Sequence, residues 1–292
     1  MSYCYKYLIS VCLLSYAATF LCGEQRERPL SAVEGFAVGA AVAGAEVILP
    51  GQIFAYGMNR AINKKPFVPS HCYRGFPAHI GSMVPVGAAQ KMVLTAGAEE
   101  IEHRQGRPLS WLQKACVAYM AGVAGSVIDT PLNAVQLGLQ DEAFAGKKSR
   151  DVMRSLGRNM ARGWAPNAFM KEGPFVVGYG MLAAEGEQFM HKYTDNTATA
   201  KVVGGVGAGV VTAMLTQPGA CLRTRMQADL FDPKCRAPYK STMQTARDII
   251  KAEGVAGLWG GWKQRSLRMV FAVPLYAAYT SFLENTVREY RK

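Results

Sequence analysis

The chain has 292 residues, half of them apolar, with 30 glycines and a formal charge of +12. That is long and glycine-rich for one soluble domain, while a mean hydropathy of only +0.03 excludes a bundle that is oily on every face. The basic excess does not read as a nucleic-acid footprint, because the lysines and arginines lie scattered in short connecting segments and form no basic stripe interleaved with stacking aromatics.

Lys6 precedes an apolar run from Leu8 to Cys22, which ends at Gly23, Glu24 and charges through Arg28. The run is short for a bilayer span. It has the proportions of a secretory h-region but lacks a small-x-small cleavage site, so a cleaved signal and an interfacial leader over 1–30 both stay open.

Six apolar stretches follow, predicting helices over Ser31 to Met58, Pro77 to Arg104, Leu112 to Gln140, Pro166 to Lys192, Thr199 to Gln227, and Gln264 to Tyr290. Each is long enough to cross a membrane with tilt. The charges inside them include Glu46, Lys91, Asp129, Lys171, Glu172, Arg223, Arg265 and Arg268, and at membrane depth these must face partners or water. Glycine and alanine pairs four apart (Gly35 and Gly39, Ala121 and Gly125, Gly205 and Gly209) predict close approach of neighbouring helices.

The helices fall into repeats anchored by Pro50, Pro131 and Pro218, spaced by 81 and 87 residues. Each proline follows a small-residue apolar stretch, frees a backbone carbonyl and predicts a helix kink. A connecting segment then leads to a glycine marker at the start of a second helix: Tyr73-Arg74-Gly75, Ala161-Arg162-Gly163 and Trp259-Gly260-Gly261. The predicted organisation is 31–108, 109–195 and 196–292, two helices each, in an all-α membrane fold with pseudo-threefold symmetry around a central cavity. The third connecting segment has room for a surface helix over Ser241 to Ala252, with Ala246, Ile249 and Ile250 on a common side.

Seven cysteines include no C-x-x-C pair, and the count is odd, which argues against a disulfide framework. His71, Cys72 and His79 are read as loop residues near one another by chance rather than as metal ligands, because no second ligand cluster completes a site. No P-loop, G-x-S-x-G elbow or Cys–His pair is present, so the sequence reads as neither an enzyme nor a cofactor protein.

At the prolines the chain resembles the mitochondrial carrier family, whose signature is P-x-[DE]-x-x-[KR]-x-[KR], usually with Gln two residues beyond. The third repeat matches best, as Pro218-Gly219-Ala220-Cys221-Leu222-Arg223-Thr224-Arg225-Met226-Gln227. Glu253-Gly254 followed after four residues by Trp259-Gly260-Gly261 is similar to a second family motif, with its basic residue missing. The resemblance implies a monomer that exchanges a small metabolite across the mitochondrial inner membrane, with an anionic lipid such as cardiolipin at the matrix-side helix ends. Delivery of the chain to a host mitochondrion by an intracellular bacterium would reconcile an export-type leader with that location.

The family closes its matrix side with ion pairs between repeats. At the corresponding positions this chain has Gln52, Asn133 and Ala220 for the acids and Ala55, Gln136 and Arg223 for the bases, so the resemblance implies a nearly neutral gate. Its pairing would set Gln52 with Gln136, Asn133 with Arg223, and Ala220 with Ala55; for Asp129 a replacement partnership with Arg223 or Arg225 and simple helix-end solvation both stay open. The family contacts its substrates seven or eight residues beyond each glycine marker, so the resemblance implies contacts at Gly81, Ser82 and Met83, at Met170 and Lys171, and at Arg268, with Arg265 in the same arginine-bearing stretch. A guanidinium offers a fixed fork for carboxylate or phosphate, which implies a small anion. The alternative for the arginines is an interfacial pair that snorkels to headgroups. A neutral gate also leaves open a carrier fold that no longer transports and serves as an adaptor, morphology factor or insertase.

Overall fold

The computed structural model describes residues 32–46, 51–231, 241–274 and 286. The 1–30 leader, Pro50 and most of the final predicted span lie outside these residues. The regular structure within them is helical.

The helices are α1 (Ala32–Glu46), α2 (Gln52–Ile62), α3 (Phe76–Gln105), α4 (Trp111–Gln140), α5 (Ser149–Leu156), α6 (Gly173–Met190), α7 (Thr197–Leu215), α8 (Gln217–Ala228), α9 (Thr242–Glu253) and α10 (262–274). Local chemistry sets their ends. Ser110 caps α4 by accepting from Gln113 N while the Gln113 side chain accepts from Ser110 N, and Ser241 with Gln244 repeats this box at α9. α3 stops at Gly106, whose left-handed backbone directs its N–H to Glu102 O at 2.9 Å.

The two proline sites within the described residues differ. α4 runs unbroken through Pro131, whereas α7 and α8 meet at Pro218 with a bend of 52°. By length and composition α4 is the described helix that can cross a membrane alone, and the bent α7–α8 pair passes the same test as one span. α9 begins and ends within a residue of the expected surface helix. Its buried face carries Ile249 with Ala246 beside it, but Ile250 is 39% exposed, one position too far around the cylinder. The second repeat also has a short helix, α5, held by buried Val152 and Leu156.

Consecutive long helices pack side by side: α1 on α3, α3 on α4, α4 on α6, and α6 on α7. α10 then packs on α7 through Met269, Val273 and Ala213. It returns to the start of the chain where Phe271 stacks on Phe54 of α2, with ring centroids 5.4 Å apart.

The three glycine markers share one backbone state, with φ of +79° at Gly75, +81° at Gly163 and +76° at Gly261, a region glycine enters without the Cβ penalty. Each presses on the proline-following helix of the next repeat in order. A Cβ would lie 3.0 Å from Gln136 O at Gly75, 3.2 Å from Arg223 Cα at Gly163, and 3.0 Å from Ile62 Cγ1 at Gly261. Predicted close approaches also occur where Gly125 meets Gln90 and where Gly205 and Gly209 meet Val273.

Candidate functional site: the polar knot and the cavity above it

Between α4 and α8 the chain winds Pro166–Glu172 as a single π-helical stretch, a form common at functional sites. Glycines on both sides admit it. A Cβ on Gly122 would stand 2.3 Å from Glu172 O, and one on Gly219 would stand 2.7 Å from Met170 C. This squeeze turns Asn167 and Lys171 toward Asp129 of α4.

Asp129 is 2% exposed and gathers donors from all three repeats. Its Oδ1 accepts from Ser82 Oγ at 3.2 Å and from Asn133 Nδ2. Its Oδ2 accepts from Asn167 Nδ2 at 3.0 Å, Lys171 Nζ at 3.3 Å and Arg223 Nη1 at 3.5 Å. A buried carboxylate with two cations and several hydrogen bonds meets the condition for a buried charge to persist. Lys171 is shared, pairing also with the neighbouring Glu172 carboxylate.

A second, neutral cluster surrounds Gln52. Its amide donates to Cys72 O at 2.8 Å and Arg74 O at 3.1 Å, and its Oε1 faces His79 Nδ1 at 2.7 Å and Gln136 Nε2 at 3.4 Å. Gln52 and Gln136 therefore meet across repeats 1 and 2 as the resemblance implied. His79 is corrected: it is not a loop residue but stands in the first turn of α3, 2% exposed, because its ring completes the Gln52 amide's hydrogen bonds.

The remaining gate positions differ from the expected pairing. Asn133 and Arg223 do not meet each other; both reach Asp129, since a carboxylate one turn back draws a guanidinium more strongly than an amide does. Arg225 takes Glu253 instead, at 2.7 Å. Ala220 and Ala55 are both buried.

Above the knot lies a cavity of about 330 Å³ bounded by α1, α3, α4, the π-helical stretch, α6 and α10. Lys91, Lys171, Arg265 and Arg268 line it against two carboxylates, Asp129 and Glu172, under apolar walls that include Val42, Val86, Phe175 and Val273. Arg265 is 6% exposed, with its guanidinium 5.3 Å from the centre of the Phe175 ring and Nη1 3.4 Å from Gln217 Oε1, so it faces inward and does not snorkel. Of the expected contact residues, Lys171, Arg265, Arg268 and Met83 line the cavity. Ser82 lies beneath it on Asp129; Gly81 and Met170 are exposed and outside the lining. Sequence reasoning missed Asn167, four residues after Gly163, although its spacing from Lys171 hinted that the two would share a face.

The family profile described as "Mitochondrial carrier protein" matches residues 194–291, the stretch that contains the Pro218 signature, Arg265 and Arg268. Over that stretch the chain matches the mitochondrial carrier family, and at low identity it is similar to carriers of that family, as a divergent member would be. It is 22% identical over 183 residues to the mitochondrial glutathione transporter SLC25A40 of Danio rerio, covering 59% of this chain and 52% of that protein. It is 25% identical over 172 residues to mitochondrial thiamine pyrophosphate carrier 1 of Candida albicans, covering 54% and 55%. A shorter match, 41% over 66 residues, is to mitochondrial tricarboxylate transporter 1 of Mycosarcoma maydis, covering 23% and 20%. The chain thus spans about half the length of the first carriers it matches, and at such identities the likeness does not carry a substrate with it.

Proposed function

We propose that the chain is a monomeric multi-pass carrier of the mitochondrial inner membrane, with six spans in three two-helix repeats, that exchanges a small anionic solute by alternating access. The observation that carries this reading is the cavity lining, in which four cations face two carboxylates under apolar walls. An anion entering there finds a net positive floor away from bulk water, where charge attraction is strong. The relatives named above for glutathione, thiamine pyrophosphate and tricarboxylates support the class, since all three bear carboxylate or phosphate groups. The closed ring of packed helices supports rigid-body motion of repeats around a central site. The short helices α5 and α9 suit contact with an anionic lipid such as cardiolipin.

The test is uptake by liposomes holding the full chain, preloaded in turn with nucleotides, carboxylates, phosphate and amino acids, beside Arg268→Ala. Saturable exchange that the substitution abolishes is the expected result. Absence of exchange from folded, inserted wild-type protein would overturn the reading in favour of a transport-inactive adaptor, which the neutral Gln52–Gln136 contact at a gate position favours.

A further inference from the structure

We infer that Asp129 acts as a tethered stand-in for the substrate: its carboxylate occupies Lys171 when the cavity is empty, and an incoming carboxylate or phosphate head must displace it. This deepens the transport reading and rests on the cavity being the substrate site.

The geometry places one oxygen on the boundary between cavity and gate. Asp129 Oδ2 meets Lys171, which lines the cavity, at 3.3 Å and Arg223, which lies beneath it in α8, at 3.5 Å. Asp129 itself lines the cavity, while Arg223 does not. The two cations are held by a single carboxylate oxygen, with Asn167 as a third donor. An anionic head approaching Lys171 brings a second negative charge beside the carboxylate, and like charges at such distances repel. The carboxylate keeps its full neutralisation only by settling on Arg223, so occupancy of the cavity redistributes Asp129 between a cavity cation and a gate cation. A carboxylate four residues ahead of the gate position Asn133 thereby couples binding to closure in place of the absent ionic gate.

The consequence is competition. Without the Asp129 charge, Lys171 keeps only Glu172 and Arg223 has no carboxylate among the described residues, so a small anion entering the cavity should be recruited through Lys171, which lines it. The test measures melting of the full chain in detergent, titrated with malonate and separately with inorganic phosphate, for wild type, Asp129→Asn, and Asp129→Asn with Lys171→Gln. The expected result is a melting-temperature rise of about 4 °C or more at saturating anion in Asp129→Asn, little change in wild type, and no rise in the double variant. A folded Asp129→Asn that ignores both anions, or a double variant that still responds, overturns the inference. If Asp129→Asn does not fold, recovery of its folding by added malonate or phosphate supports it, and a variant that stays unfolded in both anions overturns it. Because the readout is binding in micelles, it stands apart from the exchange assay, whose failure would count against transport alone.

Discussion

The indole N–H of Trp259 donates to the carbonyl oxygen of Met214 at 3.0 Å. Met214 stands four residues before Pro218, so this is the carbonyl that the proline, lacking an N–H, leaves without its helical partner. The aromatic residue of one motif thus completes the hydrogen bonding broken by the proline of another, and does so at the 52° bend between α7 and α8. Trp259→Phe keeps the ring and removes the donor. It is expected to cost about 0.5–1.5 kcal/mol, the net worth of one hydrogen bond at an exposed site, read as a lower melting temperature in detergent; a melting temperature equal to wild type would show that water replaces the indole.

Gly163 and Gly106 separate strain from contact. Both have positive φ, +81° and +63°, but a Cβ on Gly163 would lie 3.2 Å from Arg223 Cα, whereas nothing stands within 4 Å at Gly106. Gly106→Ala should cost about 1–2 kcal/mol from backbone conformation alone. Gly163→Ala should cost clearly more, because backbone of α8 must yield as well, and a thermal melt of the two variants side by side orders them. Equal losses would mean that the contact with Arg223 relaxes freely.

The Gln52–Gln136 contact invites restoration of an ionic gate. Gln52 and Gln136 are 0% and 1% exposed. Gln52→Glu alone introduces a buried charge and should destabilise the chain by roughly 3–5 kcal/mol, and Gln136→Lys alone should be similar. The double variant should recover part of either loss, because a carboxylate at 52 no longer donates to Cys72 O and Arg74 O, and on the proposed transport reading it should slow exchange in liposomes by firming the closed state. A double variant no more stable than the sum of its singles predicts, in a double-mutant cycle, would show that the two side chains do not couple.

Glu253 bridges repeats at the surface, accepting Arg225 at 2.7 Å and Lys64 at 3.1 Å. Lys64 is largely exposed, so its pair is screened and costs side-chain freedom to hold, while the Arg225 pair is only partly exposed. Glu253→Gln is expected to change stability by no more than about 1 kcal/mol at low salt and by nothing measurable near 1 M salt, where the screening length falls to about 3 Å. Denaturation at the two ionic strengths checks it; a large, salt-independent loss would place Glu253 in the core of the assembly.

Much of the scaffold followed from the sequence because its signals are local. Prolines, glycine markers and caps act within a few residues, and the expected helices over Pro77 to Arg104 and Leu112 to Gln140 lie within one residue at each end of α3 and α4. The glycine markers were likewise visible, since the backbone they require is nearly closed to other residues. The meeting of Gln52 with Gln136 came from the family resemblance rather than from any local signal.

Tertiary structure decided which polar groups meet. Asp129 binds Lys171 across 42 positions and Arg223 across 94, while Asn133, one helical turn from Asp129, turns back to it instead of reaching the arginine expected for it. His79 reads as a stray loop histidine until α3 places it on Gln52. Such choices depend on the rotation and separation of helices, which steric contacts such as Gly122 against Glu172 and Gly219 against Met170 fix to fractions of an ångström. Hydrogen bonds and ion pairs fall off over that same distance, so a linear spacing that places a donor near a carboxylate cannot say which of several donors will hold it.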